Sequence, residues 1–203
     1  MPHSNDPPDL LISRALAGSG EAIDALLGLY RNYLQLLART QIDMHLALRL
    51  NPSDIVQETL LRAFRGFPQF RGTTEGELLV WLRRILAHCL ADQSRQHRAQ
   101  RRDARQEVSW EASCDRSNAQ LAALLVDRGE SPSQMAVRRE QCVLLADALE
   151  RLPEDYRQVL VLRHLERIEF AEVAARMGRS SAAVRMLWAR ALERLRTELE
   201  SSP

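Results

Sequence analysis

Apolar residues recur every three or four positions through most of this chain, and this spacing constrains its fold more than any other feature. Between positions 10 and 50 the repeat runs through Leu26, Leu29, Tyr30, Tyr33, Leu34 and Leu37. A period of this kind lines up apolar side chains along one face of an α-helix. Ala, Leu, Arg and Glu are abundant and only 5% of the residues are aromatic, which also favours helices. We therefore predict an all-α protein.

Breaks in this periodicity predict two small helical domains joined by a linker. Residues 1–9 are polar and rich in proline, as in a disordered tail, and the first domain follows at 10–102. Residues 103–136 lose the helical spacing and end in a Gly-Glu-Ser-Pro-Ser cluster, so we predict a linker with at most a short helix around 121–126. The second domain, residues 137–200, is again periodic.

In the first domain, two helices are separated by a loop that contains two glycines. Ser53 is expected to cap the first of these helices, because its hydroxyl can accept a hydrogen bond from a free backbone N–H. The buried stripe of that helix is predicted to be Val56, Leu60, Phe64 and Phe67. Residues 70–76 form the loop, and a long helix follows at about 77–102. Trp81 begins the apolar stripe of the long helix, so we expect its ring in the core.

The charge of the chain is small in total but uneven in distribution. The net charge is +1, yet residues 83–105 hold seven arginines against two aspartates, and residues 176–196 hold six arginines against one glutamate. Two basic blocks in a nearly neutral chain predict two surfaces that bind anions. Taken singly, each block could equally be a solvated helix face.

Nothing in the sequence predicts an enzyme, a metal site or a cofactor. The three cysteines, Cys89, Cys114 and Cys142, are widely spaced, which indicates no disulfide framework and fits a reducing cytoplasm. His88 and His97 lie near Cys89, but adjacent residues 88 and 89 point to different sides of a helix and no carboxylate completes a metal set. There is no glycine-rich phosphate loop, no catalytic triad, no signal peptide and no apolar stretch long enough to span a bilayer.

The strongest motif is a helix-turn-helix at positions 170–195. Gly178 can adopt the positive φ of a tight helix exit, and Ser180 can cap the following helix. Inward-facing positions are predicted to be Phe170, Val173, Ala174 and Met177 on the first helix and Val184, Leu187, Trp188, Ala191, Leu192 and Leu195 on the second. An ordinary pair of packed helices is the alternative.

The outward face of the second helix, together with Arg179 in the turn before it, forms the candidate DNA-binding set. This set is Arg179, Ser181, Ala182, Arg185, Met186, Ala189 and Arg190. An arginine on such a face can bond a guanine or a phosphate with two N–H groups at once. We therefore predict that this helix enters a DNA groove.

The first domain carries a polar, partly acidic helix face. Asp54, Gln57 and Glu58 lie at spacings of three and four, so they share one side of a helix. A patch of this kind, taken alone, is most often solvated surface.

The second domain resembles region 4 of sigma-70-type RNA polymerase sigma factors. The resemblance runs through 149–153, 157–160, 169–174 and 182–191, and its marks are the Leu152-Pro153 entry, the Val184-Arg185 start and the Arg190-Ala191 pair. It implies contact with the −35 promoter element and with the flap of the polymerase β subunit. A chain this short resembles the extracytoplasmic-function (ECF) group, for which an anti-sigma factor is a further candidate partner.

The first domain resembles region 2 of the same family. The segment 54–58, continued by Phe64, Phe67 and Phe70-Arg71-Gly72, looks like the acidic helix that docks on the clamp coiled coil of the β′ subunit. Core polymerase binding is therefore assigned to Asp54, Gln57 and Glu58. Asp92 and Arg95 fall where the promoter-facing helix of the family has the same residue types.

The resemblance further implies that the loop and the long helix hold the −10 element as it opens. Opened DNA needs a positively charged groove for its phosphates and a surface for its bases. The residues assigned to the −10 element are Phe70, Arg71, Arg84, His88, Arg95, Arg98 and Arg101. His88 stands where the family usually has Asn, so the preferred −10 sequence is open.

Two functions remain as predictions at this point. The first is a sigma factor that binds core RNA polymerase and directs it to promoters. The second is a helix-turn-helix repressor or activator that acts on an operator without core polymerase. The second function would leave the resemblance of the first domain unexplained.

Overall fold

The computed structural model describes residues 6–44, 50–101, 109–124 and 135–201, and in these residues the chain is helical and has no strand. The prediction of an all-α protein is confirmed. The α-helices are α1 (Pro8–Leu16), α2 (Gly20–Leu29), α3 (Arg31–Met44), α4 (Pro52–Gly66), α5 (Glu75–Arg101), α6 (Trp110–Leu124), α7 (Met135–Arg151), α8 (Glu154–Leu160), α9 (Phe170–Met177) and α10 (Ser181–Glu200). None of the helices in these segments is both long and apolar enough to cross a membrane.

The chain divides into two units, residues 1–116 and 117–203, each with its own core. In the first unit the predicted periodicity of residues 10–50 resolves into α1, α2 and α3, and the side chains of Leu26, Tyr30, Tyr33, Leu34 and Leu37 are fully buried. The boundary predicted for the tail, residue 9, is wrong, because Pro8 and Asp9 already belong to α1. Residues 1–5 lie outside the described part of the chain.

Helix α4 begins earlier than predicted and buries a different face. Asn51, not Ser53, is its N-cap: the Asn51 side-chain oxygen accepts a hydrogen bond from the Ser53 N–H at 3.1 Å. Pro52 occupies the first turn, where its missing N–H costs nothing. The residues that this helix buries are Ile55, Val56, Thr59 and Ala63. Phe64, expected in the core, is 41% exposed.

Helix α5 starts at a capping box formed by Thr74 and Glu77. The Glu77 carboxylate accepts the backbone N–H of Thr73 at 2.9 Å and of Thr74 at 3.1 Å, and the Thr74 hydroxyl accepts the Glu77 N–H at 3.3 Å. These bonds satisfy helix donors that would otherwise be free, and they lower the pKa of Glu77. The helix therefore begins at Glu75, and Gly76 lies in its first turn and not in the loop.

Helix α6 lies in the middle of the segment predicted as a linker, and it begins well before the short helix expected around 121–126. Trp110 and Cys114 on its first half are buried, and burial raises the pKa of the Cys114 thiol to about 12. Asp115 accepts a hydrogen bond from the Arg83 Nε at 2.9 Å, and Arg83 also donates to the Tyr33 hydroxyl at 3.3 Å. The sequence alone had not indicated that residues 110–116 belong to the first unit.

The second unit contains residues 117–124 of α6 and the helices α7, α8, α9 and α10. Pro153 is the N-cap of α8 and not its first helical residue, and one π-helical turn, Val161–Leu165, continues α8. The Gly-Glu-Ser-Pro-Ser cluster before α7, which ends in Ser133, lies outside the described residues. The fully buried side chains include Cys142, Leu145, Leu160, Leu165, Val173, Val184 and Ala191.

The predicted helix-turn-helix is present as α9, a tight turn and α10. Gly178 has φ 63°, in the left-handed region, and the Arg179 N–H donates to the Ala174 carbonyl at 2.9 Å. The Ser180 hydroxyl then accepts the Ala183 N–H at 3.2 Å. Glycine therefore allows the left-handed backbone at the end of α9. Serine provides the hydrogen-bond acceptor that caps the start of α10.

Candidate nucleic-acid interface

The outer side of α10 presents a continuous exposed surface, which we call the recognition face. Its members are Ser181, Ala182, Arg185, Met186, Ala189 and Arg190, all exposed, and Arg179 is exposed in the turn before it. Val184, Ala191 and Leu195 are buried on the opposite side. The packing therefore leaves every predicted −35 residue accessible to a ligand.

Phe170, expected only as an inward-facing residue, has two arginines close to its ring. The Arg185 guanidinium lies 5.4 Å from the centre of the Phe170 ring and the Arg163 guanidinium 4.9 Å from it. Trp188 meets the same ring edge-on at 5.6 Å, and its indole N–H donates to the His164 Nε2 at 2.9 Å. Burial, with the charge of Arg163, lowers the pKa of His164, which favours the neutral form that accepts this bond.

Ion pairs reduce the number of arginines that the second basic block can offer to a ligand. Arg176 pairs with Glu172 at 3.2 Å and with Glu166 at 3.3 Å, Arg194 pairs with Glu198 at 2.8 Å, and Arg179 pairs with Asp155. The charge counted along the sequence therefore overstates the charge that this block presents. Arg185 and Arg190 are the arginines exposed on the recognition face itself.

In the first unit, three of the predicted −10 residues line up on one side of α5. Arg84, His88 and Arg95 are exposed, and we call this side the basic face. The backbone of α5 continues through Arg98 and Arg101, whose side chains lie outside the described residues. Cys89, next to His88, is buried, so the two point to different sides of the helix, as expected.

The loop before α5 is shaped by an aromatic cluster that removes Phe70 from the candidate site. Phe70 is only 5% exposed, with its ring centre 5.1 Å from that of Trp81 and 5.5 Å from that of Phe67. A Cβ at Gly72 would come within 2.5 Å of the Phe70 ring, which explains the glycine. The assignment of Phe70 to DNA is therefore corrected: its ring supports the loop, and Arg71 is the exposed member of this motif.

Arg83 belongs to the first basic block, but its side chain is buried and does not add to an anion-binding surface. Its side chain is 9% exposed, because it is enclosed between Tyr33 and Asp115. Burial disfavours its charged form, but these two partners together raise the pKa of Arg83. This arginine serves the fold, whereas its neighbour Arg84 points to solvent.

The outer side of α4 combines acidic and apolar side chains, and we call it the acidic face. Asp54 and Gln57 are exposed and Glu58 is half-buried. Leu61 and Phe64, each 41% exposed, follow on the same side of the helix. Exposed apolar groups next to charges are typical of protein interfaces. Phe64, which its spacing predicted in the core, is instead exposed on this face.

A chain of ion pairs connects α4 with α5. Arg62 contacts Glu58 at 2.6 Å and Asp92 at 2.7 Å, and Asp92 contacts Arg95 at 2.6 Å. Hydrogen bonds from Arg62 and Arg95 lower the pKa of Asp92, and hydrogen bonds to Asp92 and Glu58 raise the pKa of Arg62. We call these four residues the ion-pair chain.

Comparison with known proteins supplies relatives for both units. Residues 142–195 match the family described as Sigma-70, region 4. The ECF RNA polymerase sigma factor SigD of Mycobacterium tuberculosis is 30% identical over 194 residues, which is 94% of this chain and 83% of that relative. The ECF RNA polymerase sigma-E factor of Haemophilus influenzae is 25% identical over 190 residues, 94% of each chain.

A solved structure also aligns with most of the chain. It is the complex of the flagellar sigma factor Sigma-28 with the anti-sigma factor FlgM, at 17% identity and a TM-score of 0.34 over 89% of this chain.

Proposed function

Because this chain belongs to the ECF family of sigma-70-type RNA polymerase sigma factors, we propose which of its surfaces meet the polymerase and which meet the promoter. A sigma factor binds core RNA polymerase and directs it to specific promoters. The repressor or activator that the helix-turn-helix alone allowed is not favoured, since the relatives match the chain through both units.

The acidic face of α4 is the proposed docking surface for core polymerase. The observation that carries this proposal is the exposure of Leu61 and Phe64 beside Asp54, Gln57 and Glu58. Two carboxylates beside apolar side chains fit a partner helix with basic and apolar residues. The clamp coiled coil of β′ is the partner that the resemblance to region 2 implies.

The basic face of α5 is the proposed contact with the −10 element. Arg84 and Arg95 supply positive charge for phosphates and His88 can donate a hydrogen bond, and Arg71 is exposed in the loop before α5. Arg98 and Arg101, further along α5, are assigned to the same −10 element. With Phe70 buried, an unstacked base would have to meet another surface of this unit.

The recognition face of α10 is the proposed contact with the −35 element. Arg185 and Met186, near the N-terminus of α10, would meet base edges, because this end of a recognition helix enters the major groove. Arg190, further along, would meet phosphate or an outer base. The second unit would also touch the flap of the β subunit, as region 4 of the family does.

Membership of the sigma factor family also bears on catalytic activity and on the cellular compartment. The relatives are regulators of transcription, and we propose that this protein likewise has no catalytic activity of its own. We also propose that it acts in the cytoplasm, where polymerase and chromosome meet, with an anti-sigma factor as a candidate partner.

The docking proposal is tested by reversing one charge on the acidic face. Asp54→Arg should weaken association with core polymerase about tenfold or more, because like charges brought together at an interface cost several kcal/mol. Quantitative pull-down with core enzyme measures this, and reconstituted transcription should fall in parallel.

Glu21→Arg is the matched control, since Glu21 is exposed on α2 in the same unit. It makes the same change of charge and should leave the pull-down unchanged. Thermal melting should show that both variants fold, because exposed substitutions usually cost within about 0.5 kcal/mol. Equal retention of core polymerase by both variants would remove the docking assignment.

A further inference from the structure

The acidic face and the basic face are physically joined by the ion-pair chain. Glu58 on α4 contacts Arg62 at 2.6 Å, Arg62 reaches across to Asp92 on α5 at 2.7 Å, and Asp92 holds Arg95 at 2.6 Å. Glu58 belongs to the proposed docking surface and Arg95 to the proposed −10 surface. A change in the partner of Glu58 can therefore affect Arg95 through direct contacts between side chains.

The free protein presents this group with its charges balanced. Two carboxylates, Glu58 and Asp92, face two guanidinium groups, Arg62 and Arg95. Asp92 accepts a hydrogen bond from the Arg95 Nη2 at 2.6 Å, which is one of the N–H donors that a DNA phosphate could use. A balanced group of charges attracts a phosphate weakly, because attraction and repulsion nearly cancel at the distance of the DNA.

A cation of the polymerase placed against Glu58 would change this balance. The charge of Glu58 would be taken by the new partner, and the remaining three residues would carry one net positive charge. Arg62, whose N–H donors form a planar fork, could then turn both arms to Asp92. Asp92 would hold Arg95 less strongly, and Arg95 would be free to meet a phosphate.

We propose that Arg62 and Asp92 are positioning residues that couple polymerase binding at Glu58 to the release of Arg95 toward −10 DNA. The inference rests on the proposed function of the two faces. It adds that DNA contact and polymerase contact strengthen each other by the same factor, as reciprocity between binding sites requires. The members of the chain are 35–75% exposed, so the coupling is modest, about two- to fivefold.

The test uses the full-length protein without polymerase and a short, fluorescently labelled single-stranded DNA of random sequence. Glu58→Gln removes the charge that the polymerase would take. It should tighten DNA binding about two- to fivefold in an anisotropy titration. It should also steepen the dependence of log affinity on log salt by about 0.7, the value for one more contact with a single-stranded phosphate.

Glu21→Gln is the matched control, because it removes one negative charge from an exposed position of the same unit. It should change the affinity for DNA much less than Glu58→Gln does. The gain from Glu58→Gln should also disappear when Arg62→Met or Arg95→Ala is added, which a general charge effect would not do. A gain equal to that of Glu21→Gln, or one that persists with Arg62→Met, would overturn the coupling.

Two further measurements separate failure of the coupling from failure of the proposed function. Arg95→Ala alone should weaken binding to the same DNA; if it does not, the −10 assignment of Arg95 fails and the coupling fails with it. If Arg95→Ala weakens binding but Glu58→Gln behaves like Glu21→Gln, only the coupling is wrong. Pull-down of Glu58→Gln with core polymerase tests the docking role of Glu58 independently of DNA.

Discussion

The side chain of Arg185 is oriented by its own domain before any DNA is bound. Its guanidinium lies over the Phe170 ring at 5.4 Å, and Trp188 supports that ring from the edge at 5.6 Å. A guanidinium over an aromatic face gains about 0.5–1 kcal/mol at an exposed site. Because ordering a long side chain opposes binding, this support favours Arg185 over Arg190 as the residue that reads a base.

The two arginines of the recognition face should therefore behave differently when removed. Arg185→Ala should relax the preference for one −35 base, whereas Arg190→Ala should weaken all −35 sequences alike. A lost bidentate contact between arginine and guanine costs about 1–3 kcal/mol, or roughly 5- to 150-fold. Transcription by core polymerase from a promoter library randomised at −35 measures both the preference and the overall level.

Core binding provides the control for this experiment, because its proposed docking surface is the acidic face of α4 in the other unit. Both variants should be retained by core polymerase like the unmodified protein. If Arg185→Ala keeps the same preferred −35 sequence, the role of Arg185 in base reading is wrong, whatever happens to the overall level.

At the scale of elements, α6 is a helix whose apolar residues lack a regular spacing, yet its first half is part of the first unit. Its first half covers Arg83, which is 9% exposed, and supplies Asp115 as the carboxylate partner. Trp110 and Cys114 are buried beside it. A buried guanidinium that loses its partner carries the cost of its own desolvation, so the first unit depends on residues that the domain prediction had placed in a linker.

Asp115→Ala should lower the free energy of unfolding of the first unit by about 1–3 kcal/mol, because it leaves Arg83 without its carboxylate. Urea denaturation followed by tryptophan fluorescence can detect this, since Trp81 and Trp110 both lie in this unit. Arg116→Ala, at the next and exposed position of α6, should stay within about 0.5 kcal/mol of the unmodified protein. Similar unfolding of the two variants would mean that Asp115 does not support Arg83.

For the molecule as a whole, the proposed promoter contacts are divided between two compact units of the chain. Each unit offers a small charged surface, and ion pairs already use Arg83 and Arg95 of the first basic block and Arg176 and Arg179 of the second. Two weak sites combine into strong binding only when their separation matches that of their targets. Core polymerase, which both units are proposed to contact, would fix that separation.

The free protein should therefore bind promoter DNA weakly and with little sequence preference, and core polymerase should make the binding specific. A gel-shift assay at physiological salt, on a promoter and on a scrambled duplex of the same length, compares the two conditions. Core polymerase without the protein is the control for binding by the enzyme itself. Tight and specific binding by the free protein would contradict this division of the site.

The features that the sequence predicted correctly are those that depend on neighbours along the chain. The turn between α9 and α10 needs a residue that tolerates φ 63° and a side chain that caps a helix, and Gly178 and Ser180 provide both locally. The period of three and four residues likewise predicts helices, because it is a property of one helix and the side it buries. The recognition face follows directly from these two local features.

The features that only the tertiary structure decided depend on residues far apart in sequence. Which side of α4 is buried was set by the helices around it, so that Phe64 became exposed. Phe70 is buried because Trp81 and Phe67 meet its ring, and Arg83 is buried because Asp115 on α6 lies against it. The same applies to the link from Glu58 to Arg95, which passes between two helices. Local spacing determines that a helix forms, whereas the partners that pack against it determine which of its charges remain for a ligand.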